Sequence, residues 1–308
     1  MAETTLSPAR AAGTMWVAWS LLVIAVFAVG VSAIIIRYAQ EAHPLALSFW
    51  RCAAGAALLA PFGRGGFGKL QRNDWILPLL AGLFLALHFA TWITSLELTS
   101  VANSVLLVCT APVFVAFGAR FFLKERMGLA VWAGIALALG GTALIAASGT
   151  SGGKASFSGD ALALIGAIVV AGYALAGQIS RQKLGIVEYS VITYGAGAVL
   201  LLPVCLIAGV DLFGYSAQTW IAILGMVLGP QILGHTVLNY VVKDIDATTI
   251  YAAVMAEPPI AIALAWLLFD EVPSLLVYPG GLAILIGILM VSISRRERPE
   301  TRSDERVH

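Results

Sequence analysis

Of 308 residues, 60% are hydrophobic and only 11% are charged, and the mean hydropathy is +0.92. A water-soluble domain holds about half apolar and about a quarter charged residues, so the soluble classes are excluded. The net charge of +1 hides an asymmetry along the chain and carries no information about nucleic acid.

The apolar residues fall in blocks of about 20, the length a helix needs to cross a hydrocarbon core of roughly 30 Å. The first block, 16–37, is longer than the apolar core of a secretory signal and is followed by Arg37 where small residues would stand, so it reads as a membrane span. Next come 45–63, with Arg51 inside it; 74–95, with His88 and Trp92; 99–121, with Pro112; and 128–148. The short "ELTS" (97–100) joins two of these as a hairpin.

"SGTSGGKASFSGD" (148–160) has the Gly/Ser content of a flexible linker. It contains a formal G-x-S-x-G at Gly149–Gly153, but a nucleophile elbow needs a strand before the serine and a helix after it. The remaining spans are 160–180, 188–209, 218–241 (His235, Asn239), 247–269 (Glu257, Pro258, Pro259) and 276–294, before the mixed-charge run "RRERPETRSDERVH". That run reads as a solvated, disordered tail. The expected fold class is an all-α polytopic membrane protein of ten transmembrane helices. Cys52, Cys109 and Cys205 each lie in an apolar block without CxxC or metal-like spacing and read as small packing residues. No metal, cofactor or catalytic group is expected.

Lys and Arg set the orientation. With the N-terminus inside, cytoplasmic segments hold fifteen of the eighteen basic residues, outer segments hold Arg37 and Lys154, and Arg51 lies within the second span. By the positive-inside rule both termini are expected to be cytoplasmic.

The sequence also repeats. At an offset of 142, Gly30, Gly55 and Pro61 fall on Gly172, Gly197 and Pro203; at 147, Gly82 and His88 fall on Gly229 and His235. At 146, Pro112, Glu125, Gly134 and Gly141 fall on Pro258, Glu271, Gly280 and Gly287. Five spans per copy force the second copy to insert upside down, a construction recurrent in secondary transporters. The expected organisation is a cytoplasmic segment 1–15, a first five-helix repeat 16–148, an outer linker 149–159, a second repeat 160–294 and a cytoplasmic tail 295–308.

"TSLELTSVANSVLLVCTAPVFVAFGARFFLKERM" and its echo "GHTVLNYVVKDIDATTIYAAVMAEPPIAIALAWLLFDEV" carry a resemblance. They resemble the two halves of an EamA-type member of the drug/metabolite transporter superfamily, as in bacterial ten-helix exporters of amino acids and metabolites. In that family a helix with an internal proline ends in Gly-Glu or a similar acidic turn. Here Lys124 and Asp270 stand where the family often has Gly, before Glu125 and Glu271. The resemblance covers residues 16–294. It implies export of small metabolites, often amino acids, and a central cavity lined mainly by helices 1, 3, 4, 6, 8 and 9.

Ionisable residues inside spans are few: Arg51, His88, His235 and Glu257. Each is costly in hydrocarbon and is a functional candidate. His88 and His235 match in the repeat, and each has a recognition-capable neighbour at i+4, Trp92 and Asn239, on the same helix face. These six are the expected substrate-binding residues. A structural reading stands beside each: a histidine bonded to a backbone carbonyl, an arginine fixing the second helix, a glutamate tying helices together. Glu125 and Glu271 read as end anchors, and Tyr173, Tyr240, Tyr251 and Trp266 as cavity wall or interfacial belt. Gly134/Gly141 and Gly280/Gly287, seven apart, read as a packing stripe on the fifth and tenth helices.

Prolines 258 and 259 cannot donate to the carbonyls of Val254 and Met255, so the ninth span should break there. Glu257 would then sit as N-cap of the second half-helix, facing the cavity to hold an ammonium or a coupling proton. No Lys or Arg lies mid-span in the eighth and ninth spans to balance phosphate, and no carboxylate lies in the first span for cationic drugs. One Arg, two His, one Glu and aromatics suit a small zwitterion with an apolar side chain. The expected function is a plasma-membrane secondary transporter exporting amino acids, aromatic or large and apolar ones included, by alternating access. A drug or other small-metabolite permease is the alternative, and a passive channel stands behind it. Expected partners are the bilayer, a small-molecule substrate and a coupling proton, with no nucleic acid, in a monomer or a homodimer.

Overall fold

The computed structural model describes residues 8–63, 65–99, 101–148, 156–270 and 272–296. Among the described residues, ten helices are long and apolar enough to cross a membrane: α1 (Met15–Ile36), α2 (Pro44–Gly63), α3 (Arg72–Leu98), α4 (Asn103–Phe122), α5 (Leu129–Ala147), α6 (Phe157–Ser180), α7 (Ile186–Ile207), α8 (Ala217–Val241), α9 (Ala247–Phe269) and α10 (Val277–Arg295). No strand occurs among the described residues. Each predicted span has its helix. The chain is an all-α, multi-pass membrane protein.

Three boundaries differ: the first helix begins at Pro8, ahead of the expected start at 16. Helix starts at Phe157, where Ser156 accepts the Gly159 N–H, so the end of the expected linker belongs to α6. Helix also runs on to Arg296. Arg295, assigned to a disordered tail, is instead fixed by ion pairs with Glu125 and Asp246 (3.2 Å to the latter). Opposite charges in reach at a helix end outweigh the solvated state that a mixed-charge run favours. The rest of the linker, Glu271 and the remaining tail lie outside the described residues.

The helices pack in a reciprocal pattern: α3 lies on α6 and α8 on α1, α2 lies on α7, and α5 lies on α10. The α5–α10 contact is built on the glycine stripe. A Cβ at Gly141 would overlap the Gly280 carbonyl, and one at Gly287 would overlap that of Gly134. Small residues permit such close backbone approach in lipid, where no hydrophobic drive pushes helices together. Large apolar side chains such as Val23, Val199, Leu206 and Leu267 point outward. At the face opposite the chain ends, the Glu41 carboxylate accepts from the Ser216 N–H (2.9 Å) and the Thr219 hydroxyl (3.0 Å). The Ser216 contacts, first its N–H, hold this carboxyl below the usual range.

Three spans depart from regular helix near mid-depth. α4 is interrupted between Val108 and Ala111, and α9 between Val254 and Glu257. In α8, residues Val227–Thr236 around Pro230 widen into a π-helix. Lipid cannot satisfy the freed backbone groups, so such breaks persist only where protein or a cavity meets them.

Candidate functional site

The break in α9 follows from "AEPPI". Met255 and Ala256 donate to the carbonyls of Ala252 (3.2 Å) and Ala253 (3.0 Å), tightening the last turn of the first half-helix. The second half-helix starts at Glu257, with Ala256 as N-cap and the prolines at its second and third positions. The cap is thus one residue earlier than expected. It needs no side-chain acceptor, because two of the N–H groups a cap would satisfy are absent. Glu257 stands in the first turn, at the positive end of the half-helix dipole. In α4 the Thr110 hydroxyl donates to the Leu107 carbonyl (2.6 Å), and Pro112 opens the second half-helix.

Both breaks face one cavity of ≈ 50 Å³, space for a few waters. Its walls include Val29 and Ser32 of α1, Arg51 of α2, His88 and Trp92 of α3, Cys109 and Pro112 of α4, Val170 of α6, His235 of α8, and Tyr251 and Glu257 of α9. These are the six helices the resemblance implied, with α2 added through Arg51.

Five of the six expected residues therefore meet. Arg51 is 1% exposed; its guanidinium lies 3.9 Å over the Phe89 ring and its Nε donates to Gln231 Oε1 at 3.4 Å, while Nη1 has no hydrogen-bond partner. His88 Nδ1 lies 3.0 Å from the Gly166 carbonyl. A carbonyl only accepts, so Nδ1 carries a proton. The ring lies parallel to Trp92, 5.9 Å between centroids. Trp92 Nε1 and His235 Nδ1 are buried without partners. Glu257 makes no hydrogen bond or ion pair within 4.0 Å to a described residue.

Asn239 is the exception. Its amide donates to the Tyr173 hydroxyl and to the His235 carbonyl (2.6 Å), behind the wall rather than in it. Tyr173 is likewise buried behind His235, 5.9 Å ring to ring. Tyr240 and Trp266 are exposed at the outer surface. Gln231 and Phe89 were not singled out by sequence. The amide of Gln231, mid-span and directly after Pro230, was the available signal, because a proline in a span opens the helix there.

The two ends of the bundle differ. At the face where α1 begins and α10 ends, Glu125 pairs with Arg295 and accepts from Gln178 Nε2 (2.7 Å), whose Oε1 accepts the Ala247 N–H (2.8 Å). Asp246 completes the network through Arg295 and caps Thr249 (3.1 Å). Glu125 is thus an end anchor. Toward the opposite face a vestibule of ≈ 510 Å³ opens between α1, α3 and α9, with Arg37 and Glu97 in its walls.

Ten membrane-length helices surround this small cavity, whose mostly apolar wall carries a few ionisable side chains. The chain belongs to the EamA-like transporter family, whose profile matches residues 16–147 and again 157–293. It is 30% identical over 202 residues to the probable terminal-alkyne amino-acid exporter of Streptantibioticus cattleyicolor, covering 64% of this chain and 66% of that protein. It is 28% identical over 183 residues to the uncharacterized transporter YdfC of Bacillus subtilis, covering 59% of this chain and 60% of that one. The matches thus span less than two thirds of either relative. A crystal structure superposes with a TM-score of 0.77 at 19% identity, over 91% of this chain and 99% of its own. That likeness shows the fold.

Proposed function

We propose that the protein exports amino acids across the plasma membrane by alternating access, binding them at the cavity between the broken helices as it widens beyond the few waters it has space for here. The observation that carries this reading is the pairing of opposites left unpaired: the Arg51 guanidinium and the Glu257 carboxylate share one small cavity without touching. A zwitterion supplies both missing partners at once. Trp92, Tyr251 and Val170 offer the apolar wall that a large side chain requires. The name of the Streptantibioticus relative supports the same substrate class.

On this reading the halves of the chain are inverted repeats, and the face bearing the chain ends is cytoplasmic. The Glu125–Arg295–Asp246 network is then the closed inner gate and the vestibule the exit path. The transporter test is counterflow in proteoliposomes preloaded with each of the twenty amino acids. Saturable exchange of at least one is expected; non-saturating flux would make the protein a channel, and no flux of any would remove amino acids as substrates. Orientation is read from labelling of Ser151→Cys, expected from outside only, and Arg298→Cys, expected from inside only.

A further inference from the structure

A buried guanidinium close to a carboxylate normally closes onto it, because leaving both charges unpaired costs several kcal/mol. Arg51 and Glu257 do not close. What holds Arg51 off is a pair of neutral groups. The Phe89 ring covers one face of the guanidinium at 3.9 Å, replacing water above the plane. The Gln231 side-chain carbonyl accepts from Nε at 3.4 Å, on the edge away from the unpartnered Nη1.

Gln231 is held by its backbone and its packing, while its side-chain Nε2 is buried without a partner. It is fully buried in the π-helical stretch opened by Pro230. Its backbone carbonyl, loosened by that break, accepts from the Thr236 hydroxyl (3.2 Å) and the Tyr194 hydroxyl (3.4 Å). Its side chain lies against Gly55 of α2, where a Cβ would stand 3.0 Å from its Cγ. The glycine one turn beyond Arg51 leaves the space through which the amide reaches the arginine.

We infer that Gln231 is a positioning residue that, with Phe89, turns the Arg51 guanidinium so that Nη1 is kept for the carboxylate of the transported molecule while Glu257 receives its ammonium. The inference rests on the amino-acid reading above and adds the direction in which the substrate lies. The neutrality of the amide is essential. A glutamate at 231 has the same shape and accepts the same hydrogen bond, but pairs with Arg51 and cancels the charge that a carboxylate would meet. A hydrocarbon at 231 releases Nε and lets Arg51 swing to Glu257.

The test is titration calorimetry on the full-length protein in nanodiscs. The probes are L-phenylalanine, phenethylamine and 3-phenylpropionate, and in parallel leucine, isopentylamine and 4-methylpentanoate. In the wild type the amino acid is expected to bind at least about tenfold more tightly than its amine, the size of one charge-assisted contact. Gln231→Glu should erase that margin with amine binding unchanged, while its size-exclusion profile and melting temperature stay those of the wild type. A merely structural hydrogen bond at 231 predicts the reverse, since the isosteric variant keeps it. Retention of the margin in folded Gln231→Glu, or no margin in the wild type, overturns the inference and leaves the amino-acid reading standing. Binding of neither amino acid, joined to counterflow with none of the twenty, defeats that reading and this one with it. Gln231→Met, expected to lose the margin as well, decides the matter if Gln231→Glu does not fold.

Discussion

α4 and α9 are broken alike and charged differently. Each has an eight-residue first half (Val101–Val108, Ala247–Val254), a two-residue turn, and a second half opened by proline. Each ends near a residue in the left-handed region, Lys124 and Asp270, both at φ 56°. Both turns border the cavity. Yet the residue opening the second half-helix is Ala111 in α4 and Glu257 in α9. The shape of the break thus comes from proline and needs no charge. A carboxylate stands on only one of the two turns, and it makes the two sides of the cavity unequal.

The sharpest way to break the comparison is to remove the charge. Glu257→Gln keeps the shape and the half-helix and should weaken amino-acid binding by at least about 30-fold, as loss of one partner of a buried charge pair does. The titratable groups that share the cavity with Glu257 are Arg51, His88, Cys109, His235 and Tyr251. An ammonium needs the carboxylate ionised, so wild-type affinity should fall as pH drops through the titration of Glu257, while the glutamine variant should be uniformly weak. If Glu257 instead carries a coupling proton, counterflow in the variant survives and only transport driven by a pH gradient is lost. Unchanged affinity, rate and pH profile together would show Glu257 to be a structural tie.

A smaller effect is expected from giving α4 the charge it lacks. Ala111 is buried and borders the same cavity. Ala111→Glu puts a second carboxylate at the head of a half-helix, where the dipole stabilises it, and should reduce zwitterion affinity about tenfold by competing for Arg51. In the Glu257→Ala background the same substitution should recover part of the lost binding, measured by the same calorimetry. No recovery would mean the two turns are not equivalent in their distance from the substrate.

Much of this was legible in the sequence, and the reasons are local. Ten spans follow from block length, and the break at 255–256 follows from two prolines that lack N–H groups. Arg51, His88, His235 and Glu257 stand out because charge in hydrocarbon is costly, and all four border one cavity. Facing was harder to read. In a lipid-embedded bundle both the outer and inner sides of a helix are apolar, so amphipathic periodicity does not reveal which side Asn239 or Phe89 presents. Asn239 shares a helix face with His235 by spacing, yet its amide is consumed by Tyr173 and its own helix. Arg295 was hidden in a mixed-charge run because only the fold brings Glu125, 170 residues away, within reach.

The mildest test concerns the ends of the same two helices. At Lys124 the left-handed turn lets the Glu125 N–H reach back to the Ala119 carbonyl at 3.1 Å, which aims Glu125 at Arg295 and Gln178. A residue with a Cβ holds that conformation at a cost of about 1 kcal/mol or more, and glycine avoids it. The chain nevertheless has lysine there, and aspartate at the corresponding end of α9. Lys124→Gly should therefore raise stability, by roughly 0.5–1 kcal/mol after the added freedom of the unfolded glycine is deducted. Asp270→Gly should gain less, because aspartate tolerates the left-handed region better than lysine. Thermal unfolding in detergent would show the order, with Lys124→Gly melting highest. If Lys124→Gly instead lowers the melting temperature, the lysine side chain contributes more at that face than its backbone strain costs. The two helix ends would then differ as the two breaks do in charge.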